Sequence, residues 1–177
     1  MNADLPQQPP RPPSGPVVLR PADRSDRAVL ENLGQLYRHD LSEALALLPN
    51  ADGTFNNRRL DSFRTGVDPE HRAWLIIVAG RLGGFVMTKP NDEGRMTIAD
   101  FFVIRALRRT GVGFEAARLA LAEHRGPWSI GFQTYNPGVQ TFWSRVATDA
   151  VGDAWSTHDD APVEGRPPDT WITFTTA

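Results

Sequence analysis

Apolar residues gather in short β-rich runs divided by turn residues, and between some runs they recur every third or fourth position. The first run, Val17 to Arg20, predicts a strand that Pro21-Ala22-Asp23 ends. Asp23 or Ser25 is placed to cap a helix whose apolar positions are Ala28, Leu33, Leu36 and Tyr37. A second helical piece is predicted around Leu41 to Leu48, stopped by Pro49-Asn50. Asp52-Gly53 then makes a turn, and a short helical segment follows around Arg58 to Phe63. Ala73 to Ala79 and Leu82 to Thr88 read as a strand pair joined at Gly80-Arg81. Pro90 to Gly94 turns into a third strand of that group, Ile98 to Ile104, which carries one acid, Asp100.

Beyond this strand, Arg105 to Arg109 form an arginine-rich turn, and Gly111 and Gly113 open an alanine-rich helix. That helix runs to about Arg125 with Val112, Ala116, Leu119 and Ala120 as its buried stripe, and Gly126-Pro127 stops it. Trp128 to Tyr135 is the next strand, and Asn136 can cap the helix that bears Phe142 and Trp143. Ala150 to Thr157 and Thr170 to Thr175 are the last pair of strands, with an acidic, proline-containing loop over 159–168 between them. Residues 1–16 hold six prolines and resist helix and ladder alike, so a disordered or polyproline-like tail is expected before one globular domain over 17–177.

Composition removes several classes. A net charge of −2 gives no electrostatic case for nucleic acid or an anionic membrane. No apolar run is long enough to span a bilayer. The first residues lack a basic region followed by an apolar core, so a secretion signal is not expected and a cytoplasmic setting is. With no cysteine there is no disulfide, catalytic thiol or thiolate-bound metal. His39, His71, His124 and His158 are scattered without metal spacing, so no metal is expected.

The chemistry concentrates where strand, arginine turn and helix start meet. The first N–H groups of a helix have no internal partner, and the helix dipole leaves that end partly positive. Glycines there let a diphosphate approach the backbone, and Arg108 and Arg109 set guanidinium charge beside it. A pyrophosphate-bearing cofactor is therefore expected. Gly111 to Ala116 formally fits the dinucleotide pattern G-x-G-x-x-A, but the turn from the strand is too long and no acid lies in the region Ile130 to Thr134. No G-x-x-x-x-G-K-[ST] loop exists.

Arg108-x-x-Gly111-x-Gly113, following Val103, resembles the acetyl-CoA pyrophosphate loop of the GNAT acetyltransferase superfamily, [Q/R]-x-x-G-x-[G/A]. Asn136-Pro-Gly-Val-Gln-Thr-Phe142-Trp143 is similar to that family's N-x-x-A-x-x-F-Y segment. The resemblance implies an α/β (α+β) fold with a central mixed, mostly antiparallel sheet of about six to seven strands flanked by helices. It implies acetyl-CoA as co-substrate, held by the loop Arg108, Arg109, Thr110, Gly111, Val112 and Gly113. The pantetheine arm would insert where the central strand parts from the next, bonded by backbone groups of Phe102, Val103 and Arg105, with Asn136 and Trp143 beside it.

The implied reaction is acetyl transfer to the amine of a small molecule, amino-acid-like or antibiotic-like, by direct attack on the thioester. Asp100 is the base expected to take the amine proton; the alternative is that it pairs with a structural arginine. Alternation cannot choose between these, because a bulge would change the face it meets. Many members carry at position 143 a tyrosine that protonates the departing thiolate. This chain has Trp143, whose indole N–H only donates a hydrogen bond, so Tyr135 is the substitute acid considered, together with Ser144 and solvent. By the same resemblance Tyr37 and Asp40 are acceptor-site candidates, an acid there being able to hold an ammonium group. Two other functions remain open: a catalytically silent acyl-CoA-binding regulatory module, and a protein or peptide N-acetyltransferase. The expected assembly is a monomer or homodimer.

Overall fold

The computed structural model describes residues 12–57, 63, 70–133, 137–160 and 169–177. Seven strands form one sheet in the order β1-β2-β3-β4-β5-β7-β6. They are β1 Val17–Pro21, β2 Arg72–Val78, β3 Arg81–Pro90, β4 Met96–Val103, β5 Gly126–Gln133, β6 Trp155–Asp159 and β7 Asp169–Thr176. Neighbours are antiparallel except β4 and β5. The helices are α1 Arg27–Leu45, α2 Val112–Ala122 and α3 Pro137–Val151. The expected mixed, mostly antiparallel sheet with flanking helices is the architecture observed.

Each face of the sheet has its own core. On one side Leu75, Phe85, Met87 and Phe102 pack against Leu30 and Leu33 of α1. On the other, Trp74, Ile76, Val86 and Ile98 pack with Val112, Ala116 and Ala120 of α2 and with Trp143, Val146 and Ala147 of α3. This is why Trp74-Leu-Ile76 is buried as a continuous run instead of alternating with polar residues.

Several boundaries differ from the sequence pattern. Leu41 to Leu45 is the end of α1 and not a separate piece; the helix stops where Ala46 turns left-handed, φ 49°, and Leu47 N–H bonds back to Ser42 O. The buried stripe of α1 is Leu30, Leu33 and Gly34, while Ala28 and Leu36 face solvent. In α2, Ala117 and Leu121 are buried and Leu119 is only half-buried. Gly126-Pro127 begins β5, since α2 has already ended at Ala122. Ala150 and Val151 finish α3, Gly152 turns the chain at φ 63°, and the strand starts only at Trp155. The segment Arg58 to Phe63 lies outside the described residues apart from Phe63, which is buried beneath α1.

Asp23 caps the 3-10 turn Arg24–Asp26 that leads into α1: its Oδ1 accepts from Ser25 N–H at 2.7 Å, and Asp26 returns the contact by accepting from Asp23 N–H at 3.0 Å.

Candidate active site

The sheet opens between β4 and β5. Their only registered pair is Met96 with Trp128, at the start of both strands, whereas β5 and β7 stay paired over eight positions from Gly126–Thr176 to Gln133–Asp169. Two parallel strands in register only where they start part into a crevice toward their carboxyl ends, the place where open α/β sheets receive ligands.

Which groups line that crevice follows from the ladder. The Phe102 carbonyl lies against Gly84 of β3, where a Cβ built on the glycine would come within 2.0 Å of it, and Ile104 N–H bonds Gly83 O at 2.9 Å. Residues 102 and 104 therefore turn their peptide groups toward β3. By alternation Phe101 and Val103 turn theirs toward the side where β5 departs. The edge offered to an inserted arm is thus that of the expected Val103 together with Phe101, while the expected Phe102 turns toward β3. The Phe102 side chain instead packs under α1, 6.0 Å between ring centres from Tyr37.

From Val103 the chain makes a short 3-10 turn, Arg105–Leu107, anchored by the buried Leu107. Arg108 is extended, Arg109 is left-handed at φ 61°, and Gly111 is left-handed at φ 91°. Thr110 Oγ1 donates to Leu107 O at 2.7 Å. The first bond of α2 runs from Glu115 N–H to Gly111 O, 3.0 Å, so the N–H groups of Val112, Gly113 and Phe114 precede the helical ladder. A Cβ at Gly111 would meet nothing within 4 Å, which leaves open space over that helix end. Gly113 faces inward, its notional Cβ 3.7–3.9 Å from Phe142, Val103 and Phe101.

Those aromatics fill the base of the crevice. Trp143, 6% exposed, meets Phe101 edge-on at 5.5 Å and Phe142 at 4.9 Å between ring centres. Its burial fits a wall residue. Tyr135 and Asn136 lie outside the described residues.

Asp100 is 7% exposed and pairs with Met87. Ala99 is the extra residue of a bulge, because Ile98 pairs with Thr88 and Asp100 with Met87. Residues directly opposed across strands share a face, so Asp100 lies with Met87 and Phe102 on the α1 side. Tyr37 packs edge-on over Phe85 at 5.8 Å on that same side.

Asp40, one turn along α1 from Tyr37, reaches the arginine turn. Its carboxylate accepts from Arg105 Nε at 2.8 Å and from a terminal nitrogen of Arg108. Arg108 Nε donates to Val103 O at 2.8 Å, and its guanidinium lies 5.7 Å from the centre of the Phe102 ring. Burial raises the Asp40 pKa, but the hydrogen bonds and charges of Arg108 and Arg105 outweigh it and hold the carboxyl below its usual value. The ammonium-holding role expected for Asp40 thus meets a carboxylate already engaged by two guanidinium groups. This tie spans 65 and 68 residues and had no signal in the local pattern. Among the described residues no group of acids and histidines is placed to hold a metal.

The model of the acetyltransferase (GNAT) family matches residues 32–145, most of the chain. The chain belongs to this family. Its members transfer acyl groups, and this GNAT chain is an acetyltransferase by that membership. Solved structures agree on the fold. An acetyltransferase from Thermus thermophilus superposes with a TM-score of 0.63 at 19% identity, over 90% of this chain and 96% of that one. Mutant forms of the spermidine/spermine N-acetyltransferase SpeG from Vibrio cholerae give 0.57 at 12%, over 90% and 95%. The ribosomal-protein-S18-alanine N-acetyltransferase from Escherichia coli gives 0.59 at 9%, over 91% and 94%. No curated protein matches the chain. Within the GNAT fold, the Gly111 elbow and the crevice between β4 and β5 suit the diphosphate and arm of acetyl-CoA: open space at a left-handed glycine, donor N–H groups, and a β4 edge with no registered partner beyond Met96 among the described residues.

Proposed function

We propose that the chain is an acetyl-CoA-dependent N-acetyltransferase that acetylates the amine of a small molecule, amino-acid-like or antibiotic-like. The observation that carries this reading is the opening between β4 and β5, which ends at the glycine elbow of α2. Asp100 takes the proton of the attacking amine, directly or through a water. An amine attacks only when neutral, and a buried acid beside the strand edge is suitably placed to make it so. Backbone N–H groups of Phe101 and Val103 on the crevice edge hold the arm and can donate to the oxygen that gains charge as the thioester is attacked. Trp143 walls the thioester channel and supplies no proton to the leaving thiolate. Tyr135 remains the nearest phenol in sequence for that step.

The acceptor is a small amine on this reading. The structural neighbours named for spermidine/spermine and for a ribosomal protein's alanine show how widely acceptors vary on this fold. No helix among the described residues is long and apolar enough to cross a membrane. We place the enzyme in the cytoplasm as a monomer or homodimer.

Acetyl-CoA binding followed by calorimetry, with thiol release measured over a panel of polyamines, amino acids and aminoglycoside-like amines, tests the proposal. Turnover on one panel member supports it. Tight binding without turnover on any amine selects the silent acyl-CoA-binding module, which the buried Trp143 keeps in play. Failure to bind acetyl-CoA rejects both.

A further inference from the structure

The Asp40 carboxylate ties helix α1 to the glycine elbow. Asp40 Oδ1 lies 2.8 Å from both Nε and a terminal nitrogen of Arg105, and its Oδ2 takes a terminal nitrogen of Arg108. Arg108 is held at two further points, by its Nε bond to Val103 O and by the Phe102 ring. Both guanidinium groups are therefore engaged by Asp40, and that of Arg108 also lies back against the end of β4. Arg109 differs: it follows on a left-handed backbone, is exposed, and has no hydrogen bond or ion pair among the described residues.

An acid beside an anion site is electrostatically unfavourable, since it repels the incoming charge. Its presence here calls for a geometric role. Three non-helical residues, Arg108 to Thr110, lie between the turn at Leu107 and the capping Gly111, and their local ties are the bonds of Arg108 N–H to Arg105 O at 3.1 Å, Arg108 Nε to Val103 O and Thr110 Oγ1 to Leu107 O. The Asp40 clamp supplies a long-range tie at both ends of the 3-10 turn, through Arg105 at its first residue and Arg108 just after it.

We propose that Asp40 is a positioning residue for coenzyme binding: it fixes the elbow through Arg105 and Arg108, leaving Arg109 and the first N–H groups of α2 to take the diphosphate. This rests on the acetyl-CoA reading above. The side chain acts through its neighbours and touches neither the coenzyme nor the acceptor.

The sign of one substitution decides the matter. If Asp40 were merely a nearby negative charge, Asp40→Asn would tighten acetyl-CoA. If it positions the elbow, the same change weakens acetyl-CoA, by about tenfold, equivalent to about 1.4 kcal/mol. Asp40→Glu keeps the charge and recovers part of the loss. Arg109→Asn, which tolerates the left-handed backbone, weakens acetyl-CoA and flattens the salt dependence of its affinity. S-acetylpantetheine, which lacks the diphosphate, serves as the control ligand: its affinity is unchanged in Asp40→Asn.

Calorimetric titrations of the full chain and these variants with both ligands read all of this. An Asp40→Asn protein that binds acetyl-CoA as well as or better than the unaltered chain overturns the positioning role and leaves the enzyme reading standing. Equal loss toward both ligands also overturns it, since that would be a general structural defect. An unaltered chain that binds no acetyl-CoA overturns both.

Discussion

Asp100 stands directly across from Met87, on the face of the sheet that α1 covers, because one extra residue at Ala99 shifts the register between β3 and β4. Without the bulge, strict alternation from Ile98 would put Asp100 on the opposite side, among Val103, Val112 and Trp143. One inserted residue thus decides whether this acid meets the α1 side, where Tyr37 packs, or the α2 core. Asp100→Asn is expected to lower kcat by about 10²–10⁴-fold, the usual worth of a positioned base, with acetyl-CoA affinity nearly unchanged. Steady-state rates across pH, paired with calorimetric affinity, check this. An unaltered pH–rate profile in the variant would retire Asp100 as the base.

Gly111 is required by its backbone and not by crowding. Its φ of 91° strains any residue with a Cβ, at a cost on the order of 1–2 kcal/mol, while the space beyond it is open. Gly111→Ala should weaken acetyl-CoA moderately, since strain is its main fault. Gly111→Asp adds a carboxylate where the diphosphate is expected and should abolish binding. Titration of both variants separates the two effects, and an Asp variant with ordinary affinity would reject the diphosphate assignment.

The elbow was legible in the sequence because it is local. A β-rich run, a cluster of arginines and two glycines before an alanine-rich stretch lie within 17 residues, and each carries its own backbone preference. The succession of strands along the chain was legible where Gly, Pro or Asn bounds a run, as at Pro16, Pro21, Gly80, Gly94, Pro127 and Asn136. What the pattern missed needed tertiary contact. Nothing near Asp40 announces two arginines 65 and 68 residues away. The bulge at Ala99 has no glycine to mark it, and of the expected backbone groups Val103 keeps its place on the crevice edge while Phe102 gives way to Phe101. Ala150 and Val151 resemble the start of a strand because apolar, β-prone residues at a helix end look alike in either state.

Gly84 should be the least replaceable glycine for stability. A Cβ there would sit 2.0 Å from Phe102 O and 3.1 Å from Val103 Cα, both backbone atoms that cannot swing aside. Gly84→Ala must push β3 from β4, for an expected loss of about 3 kcal/mol and a melting midpoint lower by roughly 6–12 °C. Gly113→Ala meets only ordinary contacts at 3.7 Å and beyond and should melt close to the unaltered protein. Calorimetric melting of the pair checks the contrast; equal midpoints would mean the two strands can part without loss.

Asp26 joins β1 to the start of α1, and its titration should show in acid. Its Oδ1 accepts from Arg20 at 2.6 Å, its Oδ2 accepts from Arg20 at 2.8 Å and from Asp23 N–H at 3.0 Å. The Arg20 hydrogen bonds first, then that of the Asp23 N–H, hold the carboxyl below its usual value against the opposing effect of burial. A carboxyl lowered in the folded state binds fewer protons than in the unfolded chain, so its stabilisation is full above the unfolded value, near pH 4. It is lost as pH falls through the lower folded value. Arg20→Gln removes the main cause and returns the folded carboxyl toward its ordinary titration. Urea midpoints of the two proteins should therefore differ by a constant amount from pH 7 to about pH 5 and converge on further acidification. A gap that stays constant down to the acid transition would show that the Arg20–Asp26 pair contributes nothing through its charge.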